Sequence, residues 1–187
     1  MNEFVASRAV FTQGLRTVIL GDPGIGKSTL AAKLAFDLAS DRLLQAEGYV
    51  PFLVVVRDHT ARDSENAETF LHYLEKTSRT YNLVPPPGGI EYLLANRKPF
   101  VIVDGLDELG ESAFRAKFTD LLNSFASLFP WVRIVVTSRS VGYEEASLDG
   151  DLFDHYAIAP FDDNQVARYV SAWFKLMWLD SYLGHRR

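Results

Sequence analysis

Between a short apolar run, Thr17-Val18-Ile19-Leu20, and leucines recurring at fourth positions, Leu30, Leu34 and Leu38, the chain places Gly21-Asp22-Pro23-Gly24-Ile25-Gly26-Lys27-Ser28-Thr29. The stretch fits G-x-x-x-x-G-K-[ST], and a buried strand before it with a helix after it is the setting in which that pattern has physical meaning. A strand that enters a helix through such a turn restricts the chain to layered α/β arrangements. The residue types follow from polyphosphate chemistry. Backbone N–H groups must wrap an anion closely, and glycines let the main chain turn there without a Cβ clash. Gly21, Gly24 and Gly26 supply that freedom. Lys27 is expected to place its charge on the β and γ phosphates, Ser28 to offer a hydroxyl to Mg2+, and Thr29 to reach the α phosphate. The helix that follows directs the positive end of its dipole at the same anion. The whole run from Gly21 to Thr29, with Asp22, Pro23 and Ile25 as its remaining members, is the expected nucleotide-binding segment.

Further strands alternate with helices along the chain. Phe52-Leu53-Val54-Val55-Val56, Phe100-Val101-Ile102-Val103 and Val132-Arg133-Ile134-Val135-Val136-Thr137 are continuous apolar runs of the kind that sheets bury on both faces, and His155 to Ala159 is a weaker fifth. Amphipathic segments at Thr69 to Lys76, Ile90 to Ala95 and Ser112 to Phe129 read as helices. Pro85-Pro86-Pro87-Gly88-Gly89 reads as a surface loop. This order predicts a parallel α/β sheet with right-handed crossovers, whose ligands sit at the carboxyl ends of the strands. Residues 1–16 form an approach segment expected to touch the base of the nucleotide, 17–160 the core, and 161–187 a C-terminal amphipathic helix. Asp162 is expected to cap that helix, with Gln165 completing a capping box. Val166, Tyr169, Val170, Trp173, Phe174 and Met177 make one apolar face, expected first to pack into the core and alternatively to cover a further domain.

A length of 187 residues suits one compact domain, and 48% hydrophobic residues suffice for its core. The net charge of -5 and a pI near 5.4 argue against a dedicated nucleic-acid surface. With no cysteine there are no disulfides or thiolate metal sites, and His59, His72, His155 and His185 lack ligand spacing, so no structural zinc is expected. The N-terminus has no signal-peptide pattern and no apolar run reaches membrane-spanning length, which leaves a soluble cytoplasmic protein without membrane contact as the default expectation.

Asp104-Gly105-Leu106-Asp107-Glu108 ends the third strand, where a phosphate-loop protein needs its second acidic site. Asp104 is expected to hold Mg2+ through water. A further carboxylate can orient or deprotonate the attacking water, and Glu108 is preferred for that role with Asp107 close behind. The fourth strand ends in Thr137-Ser138-Arg139, where the Arg139 fork suits the γ phosphate. Lys27, Asp107, Glu108 and Arg139 are thus the candidate catalytic residues, with Ser28 and Asp104 as candidate metal ligands.

Taken together, GDPGIGKST, FVIVDGLDEL and VRIVVTSRS resemble the NACHT family, a branch of the signal-transduction ATPases (STAND class) among P-loop NTPases. Val56-Arg57-Asp58, and Pro160-Phe161-Asp162-Asp163-Asn164-Gln165 ahead of Trp173-Phe174, are similar to the same family. The resemblance runs from about Thr17 to Phe174. It implies a three-layer fold with a five-stranded parallel sheet in the order 5-1-4-3-2. It also implies ATP or ADP with Mg2+, slow hydrolysis, and a switch between a closed ADP state and an ATP-bound oligomer. Such proteins serve in defence or regulation in bacteria and in innate immunity in animals. Relatives carry an effector domain and a helical and winged-helix region, and residues 161–187 are expected to lead toward that region.

Four other functions compete, one of them a small-molecule kinase, which would use the same loop but for which the sequence shows no arginine-rich lid or acceptor pocket. Asp107-Glu108-Leu109-Gly110 fits the D-x-x-G of GTPases, but no N-K-x-D follows. An AAA-type ATPase handling nucleic acid would share the loop, and so would a nucleotide-gated interaction module without turnover.

Overall fold

The computed structural model describes residues 14–40, 48–59, 67–80, 82–109 and 112–184, with side chains to Lys175 apart from those of residues 145 and 146. Five strands form one sheet: β1 Arg16–Leu20, β2 Val50–Val55, β3 Pro99–Asp104, β4 Arg133–Ser138 and β5 Asp154–Ala157. Every pairing is parallel, and the order is β2-β3-β4-β1-β5, which is 5-1-4-3-2 read from the other edge. The helices are α1 Lys27–Ala39, α2 Leu71–Thr80, α3 Gly89–Ala95, α4 Ser112–Leu128 and α5 Asp163–Gly184.

Strand periodicity divides the apolar residues into two layers. Ile19, Phe100, Ile102 and Val135 point to one face and meet Ala31, Leu34 and Leu38 of α1. Val18, Val101, Val103, Ile134 and Val136 point to the other, against Tyr73, Ile90, Phe118, Leu122 and Phe125 of α2, α3 and α4. Successive side chains of a strand alternate in this way, so a sheet of nearly continuous apolar runs needs helices on both faces. Each large side chain so buried contributes about 1.5–3 kcal/mol. The second face is also aromatic, with Phe70, Tyr73 and Phe118 centred 4.8–5.6 Å apart. On α1, Lys33 closes both oxygens of the buried Asp37 at 2.6 and 2.7 Å, which keeps that carboxylate compensated one turn away.

The elements expected from the sequence are present, with their ends shifted. β1 begins at Arg16 rather than Thr17, because that residue is already buried and in register with Ile134. β2 runs from Val50 to Val55, and Val56 opens a short 3-10 turn instead of ending the strand. β5 is displaced by one residue at its start and ends at Ala157. Its side chains are exposed at the sheet edge, and Asp154 and His155 are the charged and polar residues that keep edges from pairing further. Met1 to Gln13, most of the approach segment, lie outside the described residues. Leu15 and Arg16 sit at the amino end of β1, the rim opposite the phosphate-loop sequence.

The last helix overturns the core-packing expectation. Its start is as read: the Asp162 N–H donates to Gln165 Oε1 and the Gln165 N–H to Asp162 Oδ1, each at 2.8 Å. Its apolar face, however, is open. Val166, Tyr169, Val170, Trp173 and Phe174 are all exposed, Trp173 by 53% and Phe174 by 61%. Among the described residues the two faces of the sheet are covered by α1 on one side and by α2, α3 and α4 on the other. The Met177 side chain lies outside those described. No helix among the described residues is long and apolar enough to cross a membrane.

Candidate functional site

At the carboxyl end of β1 the chain turns through Gly21 to Gly26 into α1. The Gly21 N–H donates to the Ser138 carbonyl at 3.2 Å, which pins the start of the loop to the end of β4. Gly24 and Gly26 take φ of +80° and +100°, and no atom lies within 4 Å of where a β-carbon would stand on either. Gly26 occupies the N-cap of α1 without any side-chain cap, so no cap side chain satisfies the first-turn N–H groups of the helix. A cradle that side chains would fill, ringed by uncapped donors, fits a phosphate group. Lys27 arches back over the loop, its Nζ donating to the carbonyls of Gly21 at 2.7 Å and Asp22 at 3.0 Å. Its ammonium is thus held above the loop rather than free in solvent. Ser28 and Thr29 begin α1 with exposed side chains on the same rim.

The acidic cluster lies two strands away. Leu20 is in register with Ser138 and Val103 with Val136, so the ends of β1, β4 and β3 form one row. Two strand spacings separate β1 from β3, about 10 Å. Asp104 is the last residue of β3 and is buried, with Oδ1 accepting from Thr137 Oγ1 at 2.6 Å. The Thr137 hydroxyl in turn accepts the Gly105 N–H at 3.0 Å. One hydroxyl therefore fixes both the carboxylate and the backbone immediately after it.

Gly105 is required by the turn. Its φ is +83°, and a β-carbon there would stand 2.9 Å from Glu108 Cδ, because the Glu108 side chain leans back across it. The turn closes with the Glu108 N–H on the Gly105 carbonyl at 2.8 Å, leaving Glu108 exposed and Asp107 half-buried beside it. Asp107 is engaged elsewhere. Its Oδ1 accepts the Arg139 N–H at 2.9 Å, and its Oδ2 pairs with Arg139 Nε at 2.8 Å. Arg139 leaves the end of β4 with its side chain about half exposed.

Lys27, Ser28, Asp104, Asp107, Glu108 and Arg139 are thus gathered along the carboxyl rim of three adjacent strands. The contacts of two neighbours are not readable from the sequence. The sequence places Thr137 at the polar end of the fourth strand, but a threonine in a β-branched run carries no local sign that its partner is a buried carboxylate on the neighbouring strand. Arg115 of α4 donates to the carbonyls of Leu109 and Gly142 at 3.0 and 3.1 Å, and a lone helical arginine has no signal at all. Among the described residues no group of three or more His, Asp or Glu side chains is placed to hold a metal ion by itself.

The parallel sheet in this order, with its glycine loop capping α1, defines a nucleotide-binding P-loop NTPase domain. The sequence model of the NACHT domain matches residues 15–177, and the chain belongs to the NACHT family. No curated protein matches the sequence. Among solved structures, the Saccharomyces cerevisiae Hsp104-ADP complex aligns with a TM-score of 0.55 at 14% identity, over 91% of this chain and 23% of that one. Caenorhabditis elegans PCH-2 aligns with a TM-score of 0.49 at 18% identity, over 96% and 45%. The chain thus spans less than half the length of either, and at these identities the likeness to Hsp104 speaks for the fold.

Proposed function

We propose that this domain binds ATP with Mg2+, hydrolyses it slowly, and serves as the nucleotide switch of a signalling or defence protein. The observation that carries the reading is the common rim of Lys27 and Asp104, with an open glycine cradle on one side and a hydroxyl-oriented carboxylate on the other. In this reading the loop amides and the α1 N-terminus bind the β phosphate, and Lys27 spans the β and γ phosphates. Ser28 and Asp104 hold the metal; Mg2+, when bound, neutralises charge developing on the phosphoryl oxygens. Thr137 occupies one Asp104 oxygen, which leaves the other for the metal or its water. Glu108, exposed over Gly105, orients water, and Arg139 answers the γ phosphate.

A second reading, a nucleotide-gated module without turnover, is favoured by one contact. Arg139 is tied to Asp107 through Nε and through its own backbone N–H, so its fork is not free to swing as a unit. A single-turnover assay with labelled ATP separates the two readings. Hydrolysis by the wild type that Glu108→Gln abolishes, with ATP binding retained, supports the first. ATP binding without hydrolysis in either protein supports the second.

The ATP-bound form is proposed to oligomerise through this domain within a longer protein. The open aromatic face of α5 is proposed to lead into the helical region that relatives carry.

A further inference from the structure

α4 sends one side chain to both loops that leave the acidic rim. Arg115 Nη2 donates to the Leu109 carbonyl at 3.0 Å, and Nη1 to the Gly142 carbonyl at 3.1 Å. Leu109 directly follows Glu108 on the β3–α4 connection, while Gly142 lies a few residues beyond Arg139 on the β4–β5 connection. A guanidinium is a rigid planar fork, so two carbonyls bound by its two amino groups are held at a set separation.

The receiving backbone is itself fixed. Gly142 takes φ +80° at the start of a short 3-10 turn, a conformation that disfavours any other residue. The next residue, Tyr143, is buried, and its hydroxyl accepts the Leu148 N–H at 3.0 Å and meets His155 Nε2 at 2.9 Å. Burial pushes the Tyr143 phenol up from its ordinary pKa, so it remains an uncharged anchor. Nearer the rim, the Asp107–Arg139 pair joins the same two loops. The loops are therefore braced at two levels, by Asp107–Arg139 beside the site and by Arg115 behind it.

We propose that Arg115 is a positioning residue whose fork sets the separation of the Glu108 loop and the Arg139 loop, so that both side chains address one bound nucleotide. The proposal rests on the hydrolysing reading for its effect on turnover, and on the contacts alone for its effect on the loops. Without the fork, the acidic turn keeps its attachment to β3 and its Asp107–Arg139 pair but loses the brace behind the site, so the separation of the two loops is no longer set. Binding, which depends on the glycine loop and Lys27, is unaffected.

The test compares Arg115→Met, which keeps the aliphatic stem without donors, with Arg115→Lys, which keeps charge and donors. In Arg115→Met, the ATP dissociation constant should stay within about twofold while turnover falls about tenfold or more, with Lys restoring part of it. In an Arg139→Ala background the further loss should shrink to less than about twofold, since the two side chains act through one geometry. Amide exchange should quicken in residues 105–109 and 139–143 together, without a matching change in α1. Unchanged turnover and exchange, exchange quickened throughout the chain, or fully multiplicative losses with Arg139→Ala would each overturn the proposal. If the wild type shows no turnover, the hydrolysing reading fails on its own. The exchange measurement then decides Arg115 alone: quickening confined to both loops supports it, and any other pattern rejects it.

Discussion

Arg139 holds Asp107 twice, through its backbone N–H to Oδ1 at 2.9 Å and through Nε to Oδ2 at 2.8 Å. The pair joins the turn after β3 to the end of β4, and it makes Asp107 a tether before it is anything else. Asp107→Asn keeps an acceptor but removes the charge, so it should cost about 1 kcal/mol of stability, a small amount because the arginine is half exposed. Arg139 should then move more freely. Urea unfolding checks the stability, and a loss above about 3 kcal/mol would contradict an exposed pair of this kind.

Thr137 is buried between Asp104 and the Gly105 N–H. Thr137→Val preserves shape but leaves a buried carboxylate and a buried N–H each short of a partner, which should cost about 2–4 kcal/mol. Thr137→Ser should recover most of that. The Mg2+ concentration needed for half-maximal ATP binding should rise in the valine variant and return in the serine variant, measured by titrating metal at fixed nucleotide.

Gly105→Ala introduces a β-carbon 2.9 Å from Glu108 Cδ at φ +83°. The left-handed backbone alone costs about 1–2 kcal/mol for an alanine, and Glu108 must move aside. Thermal unfolding should register the strain, and turnover should fall by more than the loss of folded protein explains. A variant of unchanged activity would remove Glu108 from the chemistry.

The aromatic face of α5 supplies the opposite expectation. Trp173 and Phe174 are more than half exposed, so Trp173→Glu and Phe174→Glu should each change the stability of this chain by less than about 0.5 kcal/mol. Calorimetric midpoints lower by several degrees would mean that the face is packed after all.

Much of this architecture was legible in the sequence because its determinants are local. The apolar runs at β3 and β4 are continuous, which only a doubly covered sheet explains, and the glycine spacing from Gly21 to Gly26 is dictated by backbone approach to an anion. The Asp162 and Gln165 cap was readable for the same reason, since both partners lie within one turn. β5 was faint because it is an exposed edge strand, whose Asp154 and His155 interrupt any apolar pattern. The α5 stripe shows the limit of periodicity: it predicts an apolar face, but whether a groove exists to receive it depends on which helices have already filled the sheet. The Thr137 bond to Asp104 and the Arg115 contacts were invisible for a related reason. Their partners are brought near by strand order, and neither threonine in a strand nor arginine on a helix is unusual locally.

The central claim is that the glycine loop and Lys27 that follow β1 and the acidic turn that follows β3 form one site for a metal-bound triphosphate. Calorimetric titration of ATP into the wild type and Lys27→Ala, each with Mg2+ and with chelator, tests it most directly. The account predicts tight binding by the wild type with Mg2+, weakening on chelation, and at least a hundredfold loss in Lys27→Ala, on the order of two charge-assisted hydrogen bonds. Equal ATP affinity in the two proteins, with or without metal, would contradict it.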